Sequence, residues 1–136
     1  MGDDAGSVAC VVVTHDALPW IERCLESVAG IDTVVVDNAS TDDTVPVVRD
    51  RFPTVRVVED ENRGLAAGWN RGIAETAAEH VLVLNADAWL VEDALARLVD
   101  AAHRHPRAAL VAPRADGGGP RRRASRARPP RARRLR

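Results

Sequence analysis

The chain has 136 residues, a formal net charge of −1 and 46% hydrophobic residues. This length allows one domain with a modest core, and this composition argues against a chain that is disordered throughout. The near-neutral charge is a cancellation, since residues 1–106 hold 8 Arg and 19 acidic residues, whereas residues 107–136 hold 11 Arg and one acidic residue.

The amino terminus, MGDDAGS, is acidic, whereas a secretory signal begins with positive charge before an apolar segment. No stretch reaches the roughly 18 apolar residues that a transmembrane helix requires. Cys10 and Cys24 occupy apolar positions of a predicted strand and a predicted helix, where thiols are usually buried and reduced. We therefore expect a cytoplasmic protein, free or at the inner face of the membrane, without a transmembrane segment.

Strands and helices alternate along the first 113 residues. The predicted strands are residues 8–14, 33–37, 55–59, 81–85 and a short fifth strand at 108–112. The predicted helices are residues 18–29, a helix that begins after residue 40, residues 64–79, and a helix that begins near residue 92. This alternation predicts an α/β fold built from parallel βαβ units with right-handed crossovers.

Two of the predicted helices have recognisable starts. Ser40 followed by Asp43 predicts a capping box for the second helix. Glu92 and Asp93 favour the amino end of the last helix, where negative charge complements the helix dipole. The side chains that we expect these two helices to bury are Val45, Val48, Phe52, Leu95, Leu98, Val99 and Ala102.

Polar side chains end two of the predicted strands. The apolar runs in VVVDNASTDDT and VLVLNAD are typical of strands that are buried on both faces of a parallel sheet. In open α/β sheets, ligands bind beyond the carboxyl ends of the strands. We expect Asp37, Asn38, Asn85 and Asp87 at that edge, where they form a polar, anionic site.

The alternating pattern ends at residue 114, and the remainder is RADGGGPRRRASRARPPRARRLR. Three interpretations stay open for it: a plain disordered tail, a segment that binds a polyanion or a membrane surface, or a GC-rich gene read out of frame. No aromatic residue interrupts this tail, so we expect no base stacking and no nucleic-acid partner. The predicted divisions are a short tail at 1–7, one domain at 8–113 and an Arg-rich tail at 114–136.

Four segments match a known family in order and spacing: VACVVVTHDALPWIERCLESV, VVVDNASTDDT, ENRGLAAGWNRGI and VLVLNAD. Together they resemble family 2 glycosyltransferases of the GT-A fold, and within them the bacterial branch that includes rhamnosyltransferases. The resemblance covers residues 8–113. It implies a Rossmann-like parallel sheet with flanking helices. It also implies inverting transfer of a sugar from a UDP- or dTDP-linked donor to the hydroxyl group of a saccharide or lipid-linked acceptor.

The resemblance implies that Asp37 accepts the imide N–H of the nucleotide base, with Thr14 and Asp16 lining the same pocket. The alternative for Asp37 is an Asx turn that ends the strand. Asp42 has two interpretations, as a support or contact of the nucleotide or as a simple helix cap. The segment ENRGLAAGWNRGI also has two. Its helix packs closely on the sheet through a glycine face, or it brings Arg63 and Asn70 near the phosphates or sugar of the donor.

The resemblance puts Asn85-Ala86-Asp87 where the family carries its metal-binding motif, commonly Asp-x-Asp. An acidic edge repels a diphosphate unless a divalent cation lies between them, and Mg²⁺ and Mn²⁺ suit oxygen ligands. Asp87 is the expected metal ligand. Asn85 replaces a carboxylate, and a weak metal contact, a contact through water and a contact with the donor sugar all stay open.

An inverting transferase requires a base that deprotonates the acceptor. In this family that carboxylate lies well beyond the metal motif, whereas past Asp100 this sequence offers only Asp116. The catalytic residue is therefore unknown, and we expect the carboxyl half of the fold to be missing, by truncation or by dependence on another polypeptide. The alternative function is a non-catalytic nucleotide-binding module with a basic, polyanion-binding tail.

Overall fold

The computed structural model describes residues 7–113. The predicted tail at 114–136, with its three interpretations, lies outside these residues. The strands are β1 (Val8–Thr14), β2 (Asp32–Asn38), β3 (Arg56–Asp60) and β4 (His80–Asn85). The helices are α1 (Leu18–Ser27), α2 (Thr44–Arg51), α3 (Leu65–Ile73) and α4 (Ala94–Arg104).

The four strands form one parallel sheet in the order β3-β2-β1-β4. This arrangement confirms the predicted α/β class with parallel βαβ units. Both β1 and β2 lie inside the sheet and are almost wholly buried, which explains their nearly continuous apolar sequences. None of the helices between residues 7 and 113 is long and apolar enough to cross a membrane.

The larger part of the core lies between the sheet and helices α1 and α2. Its buried side chains come from β1, α1, β2, α2 and the end of β4. They are Cys10, Val12, Ile21, Cys24, Leu25, Val28, Val35, Val48, Leu84 and Ala86. A smaller cluster of Val13, Val34 and Val36 lies on the opposite face of the sheet, with Trp69 of α3 packed against it.

Helix α3 approaches the sheet closely through a glycine face. A Cβ atom at Gly72 would overlap Val11 Cγ1, and one at Gly68 would lie 2.8 Å from Val13 Cγ1. Gly64, just before the helix, has a φ of 94° with open space around it, so conformation rather than contact requires glycine there. The packing interpretation of the glycine repeat is therefore confirmed.

Three features predicted from the sequence are wrong: the end of helix α3, the fifth strand and the capping box. Helix α3 ends at Ile73 rather than residue 79, because Ala78 N–H donates to the Thr76 hydroxyl at 3.2 Å in a turn that leads to β4. Residues 108–112 are not a strand, and within the described chain β4 pairs only with β1. The capping box is also absent, since Ser40 bonds to Asp37 instead of to the helix.

The prediction that α4 buries its apolar face is correct only in part. The helix has no fully buried residue, and Leu95, Leu98, Val99 and Ala102 are half-buried. They line a cavity of about 510 Å³ between α4 and β4. In α2, by contrast, Val45 and Val48 are buried as expected, and Phe52 is half-buried against the core.

We expect Gly72→Ala to destabilise the domain, because a methyl group there must displace the stiff side chain of Val11. Overpacking of this kind costs about 1–3 kcal/mol. Urea denaturation measures the change in the free energy of unfolding. Asn70→Ala, on the exposed side of the same helix, is the control and should stay within about 0.5 kcal/mol of the wild type. Equal stability of both variants would contradict the close packing.

Candidate functional site

The carboxyl ends of β1 and β2 bring Thr14 and Asp37 side by side. The two residues are partners in the parallel register and therefore point to the same face of the sheet. Both are buried, with 2% and 3% of their surface exposed. A carboxylate buried to this degree at the edge of a sheet requires polar partners.

Asp37 finds its partner in Ser40. One carboxylate oxygen accepts the Ser40 backbone N–H at 3.0 Å, and the other accepts the Ser40 hydroxyl. An ionised carboxylate has about four lone-pair sites, so two such bonds orient the group without exhausting its capacity. Sequence reasoning missed Ser40 as a site residue, because its spacing from Asp43 resembled a capping box.

Asp16 holds the loop between β2 and α2. Its Oδ1 accepts the backbone N–H groups of Thr41 at 2.7 Å and Asp42 at 3.1 Å, and its own N–H donates to Ser40 Oγ at 2.9 Å. Asp16 has a φ of 48°, a left-handed conformation that Asp tolerates better than most residues. The structure thus brings together Thr14, Asp16 and Asp37, as expected of a shared pocket.

The Thr41 and Asp42 amides, in that order, hold the pKa of the Asp16 carboxyl below its ordinary value, and His15 adds to the effect. Backbone N–H groups favour the charged form of a carboxylate that accepts their hydrogen bonds. Asp16 therefore keeps its negative charge, and its grip on the loop, throughout the neutral range.

The Thr14 hydroxyl is an orphan. Its Oγ1 is buried and has no hydrogen-bond partner among residues 7–113. Buried polar groups in native proteins almost always have partners, so this hydroxyl marks a place for a polar group from a ligand or water. It lies at the edge predicted to bind a ligand, beside Asp37.

His15 and Asn38 connect the end of β1 to the end of β2 and to the start of helix α3. His15 Nδ1 lies 2.8 Å from the Asn38 carbonyl oxygen, so that nitrogen carries the proton. Asn38 Nδ2 donates to the Gly64 carbonyl at 3.3 Å and thereby joins β2 to the start of α3. Sequence reasoning assigned His15 no role, although its position directly after a strand end was the available signal.

The Asp42 carboxylate caps helix α2. Its Oδ1 accepts the Thr44 N–H at 2.9 Å and also the Thr44 hydroxyl. This geometry is that of the helix-capping interpretation, displaced by one residue from the N-cap position. A role of Asp42 in nucleotide binding stays a prediction.

Arg63 and Asn70 stand apart from the group around Asp37. Arg63 Nη2 lies 3.2 Å from Asp60 Oδ1, and its side chain is largely exposed. Asn70 is exposed on α3. Within the described chain, no hydrogen bond links either residue to Thr14, Asp16 or Asp37, so their roles at the donor stay predictions.

Asn85 is the last residue of β4, on the other side of β1 from β2, and Asp87 follows two residues later. The chain turns at once, since Ala88 N–H donates to the Asn85 carbonyl at 3.0 Å. Both side chains are exposed, and no residue of the described chain forms a hydrogen bond or an ion pair with the Asp87 carboxylate. It is therefore free to bind a cation.

The donor set fits a hard cation that is shared with a ligand. Residues 7–113 contain no group of three or more His, Cys, Asp or Glu side chains that could hold a metal by themselves. One free carboxylate with a nearby carboxamide oxygen resembles a Mg²⁺ site that is completed by phosphate oxygens and water. The expected metal residues are thus compatible with a cation that binds together with a diphosphate.

We expect the loop at Thr41 and Asp42 to loosen at acidic pH. A carboxyl group whose pKa is lowered in the folded state stabilises that state above its unfolded pKa. This contribution disappears as the pH falls through the folded pKa of Asp16. A carbon-detected NMR titration of Asp16, with amide exchange at Thr41 and Asp42, measures both. Asp43→Asn is the control, since Asp43 makes no side-chain cap bond. A titration midpoint at or above the ordinary value would contradict the assignment.

Comparisons with known proteins agree with this architecture. The model of a family described as Glycosyl transferase family 2 matches residues 9–136. The N-acetylglucosaminyl-diphospho-decaprenol L-rhamnosyltransferase of Mycobacterium tuberculosis (strain ATCC 25618 / H37Rv) is 31% identical over 120 residues, which cover 76% of this chain. The chain spans only 39% of the length of that relative.

Two solved structures show the same fold. A mannosyltransferase from Pyrobaculum calidifontis, in complex with GDP-Man and Mn²⁺, is 32% identical, with a TM-score of 0.63 over 69% of this chain and 31% of that chain. Staphylococcus aureus TarS 1-349 is 22% identical, with a TM-score of 0.65 over 74% of this chain and 33% of that chain. Fold and sequence thus confirm the predicted resemblance, and the chain belongs to glycosyl transferase family 2.

Proposed function

We propose that the carboxyl edge of this sheet binds a nucleotide diphosphate sugar, together with Mg²⁺ or Mn²⁺, as the donor half of an inverting glycosyltransferase. The observation that carries the proposal is the paired burial of Thr14 and Asp37 at this edge, with the Thr14 hydroxyl unpartnered.

Asp37 is the group best prepared for a nucleotide base. Ser40 orients both of its oxygens and leaves lone pairs free. The imide N–H of uracil or thymine is a donor of the right kind, and a hydrogen bond to a charged acceptor is stronger than one between neutral groups. The Thr14 hydroxyl supplies a second polar contact from the neighbouring strand.

Asp16 acts on the pocket indirectly, by holding the loop that lines it. By holding the Thr41 and Asp42 amides, it fixes the loop that also carries Ser40, which in turn orients Asp37. A pocket ordered before binding loses less conformational entropy when the ligand arrives. Asp16 therefore contributes to affinity even without touching the nucleotide.

The diphosphate would meet negative charge at this edge. Asp87 has a free, exposed carboxylate with which to hold a divalent cation, and the Asn85 carboxamide is near it in the chain. Asp87 would hold this cation beside the diphosphate, where the cation would supply positive charge to stabilise the leaving group. The mannosyltransferase structure with GDP-Man and Mn²⁺ supports this part of the proposal.

The proposal assigns no catalytic base. Past Asp100, the sequence offers Asp116 as its sole carboxylate side chain. We infer that the described residues bind the donor and the metal. The name of the mycobacterial relative supports a lipid-linked saccharide as acceptor, which would bring the enzyme to the inner face of the membrane.

Calorimetric titration with UDP, dTDP and GDP, in Mn²⁺ and then in EDTA, tests the proposed function. We expect UDP and dTDP to bind more tightly in Mn²⁺ than in EDTA, and we expect the Asp87→Asn variant to lose this gain in affinity. Asp93→Asn is the matched control, because it removes one exposed charge at a left-handed position that Asn tolerates. Equal affinity of the wild-type domain in Mn²⁺ and EDTA would remove the metal from the proposal.

We expect Asp37→Asn to weaken UDP binding more than Asp42→Ala does. Asn keeps one oxygen for Ser40 but presents an NH₂ group to the base, and losing a charge-assisted bond costs about 1.5–3 kcal/mol. Asp42→Ala removes a cap from α2, which costs about 1 kcal/mol of stability instead. Calorimetry and thermal melting separate the two effects. A larger loss of affinity in Asp42→Ala at an unchanged melting temperature would reverse the assignment.

A further inference from the structure

Three side chains of helix α1 contact the segment that carries Asp87. The segment, residues 85–90, leaves β4 and contains neither helix nor strand after Asn85. These side chains are Arg23, the adjacent Cys24, and Ser27 one helical turn later. This contact is distinct from the nucleotide pocket around Asp37, which belongs to the ends of β1 and β2.

The first contact fixes the start of the segment. The Cys24 thiol donates to the Asn85 carbonyl oxygen at 3.5 Å, a distance suited to sulfur. The same carbonyl accepts the Ala88 N–H at 3.0 Å, the bond that closes the turn around Asp87. Cys24 therefore contacts the Asn85 carbonyl oxygen, which is also the acceptor of the hydrogen bond that closes the turn.

The second contact fixes the end of the segment. Ser27 Oγ donates to the Cys24 carbonyl at 2.7 Å and accepts the Leu90 N–H at 3.1 Å. The serine thus connects the backbone of α1 to that of the segment. Between the two anchored ends, the Arg23 guanidinium carbon lies 3.7 Å from the centre of the Trp89 ring, within the range of a cation–π contact.

The packing of the segment directs Asp87 outward. Ala86 is buried in the core, and Ala88 and Leu90 pack against it, whereas Asp87 between them is exposed. Asp87 has no side-chain partner in the described chain, so the protein positions its carboxylate only through the backbone of the segment. The backbone, in turn, is held by α1.

We propose that Cys24 and Ser27 are positioning residues that hold the Asn85–Leu90 segment, so that the Asp87 carboxylate is preorganised for the cation of the donor complex. This inference rests on the proposed function, because it presumes that Asp87 binds the metal. Partners that orient metal ligands in this manner commonly change metal affinity by about 10- to 100-fold when they are removed.

The test measures UDP binding by calorimetry in Mn²⁺ and in EDTA. The ratio to compare is the dissociation constant in EDTA divided by the dissociation constant in Mn²⁺. The variant Cys24→Ala with Ser27→Ala should lower this ratio by about 10-fold while leaving the constant in EDTA unchanged. The conservative pair, Cys24→Ser with Ser27→Thr, retains a donor and an acceptor and should preserve the ratio. Glu22→Gln, which alters the ion pair of α1 with Arg51, is the control on the same helix.

Amide exchange at Ala88 and Leu90 provides a second readout that needs no nucleotide, and should accelerate in the alanine variant. A lower melting temperature with an unchanged ratio of dissociation constants would overturn the positioning role and leave a purely structural one. Failure of the proposed function has a different signature. In that case Asp87→Asn would keep the full ratio, whatever the α1 variants do.

Discussion

The site depends on the position of β1 between β2 and β4. Because all three strands run parallel, their carboxyl ends reach the same edge, and β1 sets the register of both neighbours. Thr14 is paired with Asp37, and Val13 with Asn85. A slip of one residue would turn each of these side chains to the other face of the sheet. The buried valines of β1 exclude that slip, since it would exchange the two cores.

The same edge has two ways of managing negative charge. Asp16 and Asp37 are satisfied by amide and hydroxyl donors of the loop after β2, so their charges organise the protein itself. Asp87 has no such donor and is exposed. The division follows from topology, since the loop after β2 folds back over β1 and the segment after β4 turns toward α1. At one end of the edge the carboxylates are thus hydrogen-bonded by the protein itself, and at the other end the carboxylate is exposed.

The sequence predicted this arrangement where the local pattern and the final environment agree. Apolar β-branched runs identified the four strands, and polar residues at their ends identified the edge. The capping box at Ser40 failed because a local partner, Asp37, three residues earlier in the chain, accepts the same hydroxyl. The contacts of Cys24 and Ser27 were equally hidden, because their partners are backbone atoms more than sixty residues away. Hydrogen bonds to distant backbone leave no pattern in the sequence of either segment.

Burial in the sheet is greatest in the two inner strands and lower in both outer strands, β3 and β4. β1 and β2 are buried on both faces, whereas β4 is a half-exposed outer strand and α4 covers it only loosely across an open cavity. Local stability follows buried apolar contact, so the β4 side should open more readily than the side that carries Asp37. Asp87 sits on this side, whereas the cation site proposed for it requires a carboxylate that stays in place. The contacts from α1 answer this requirement in the proposal, because α1 contributes Ile21, Cys24 and Leu25 to the main core and is hydrogen-bonded to both ends of residues 85–90.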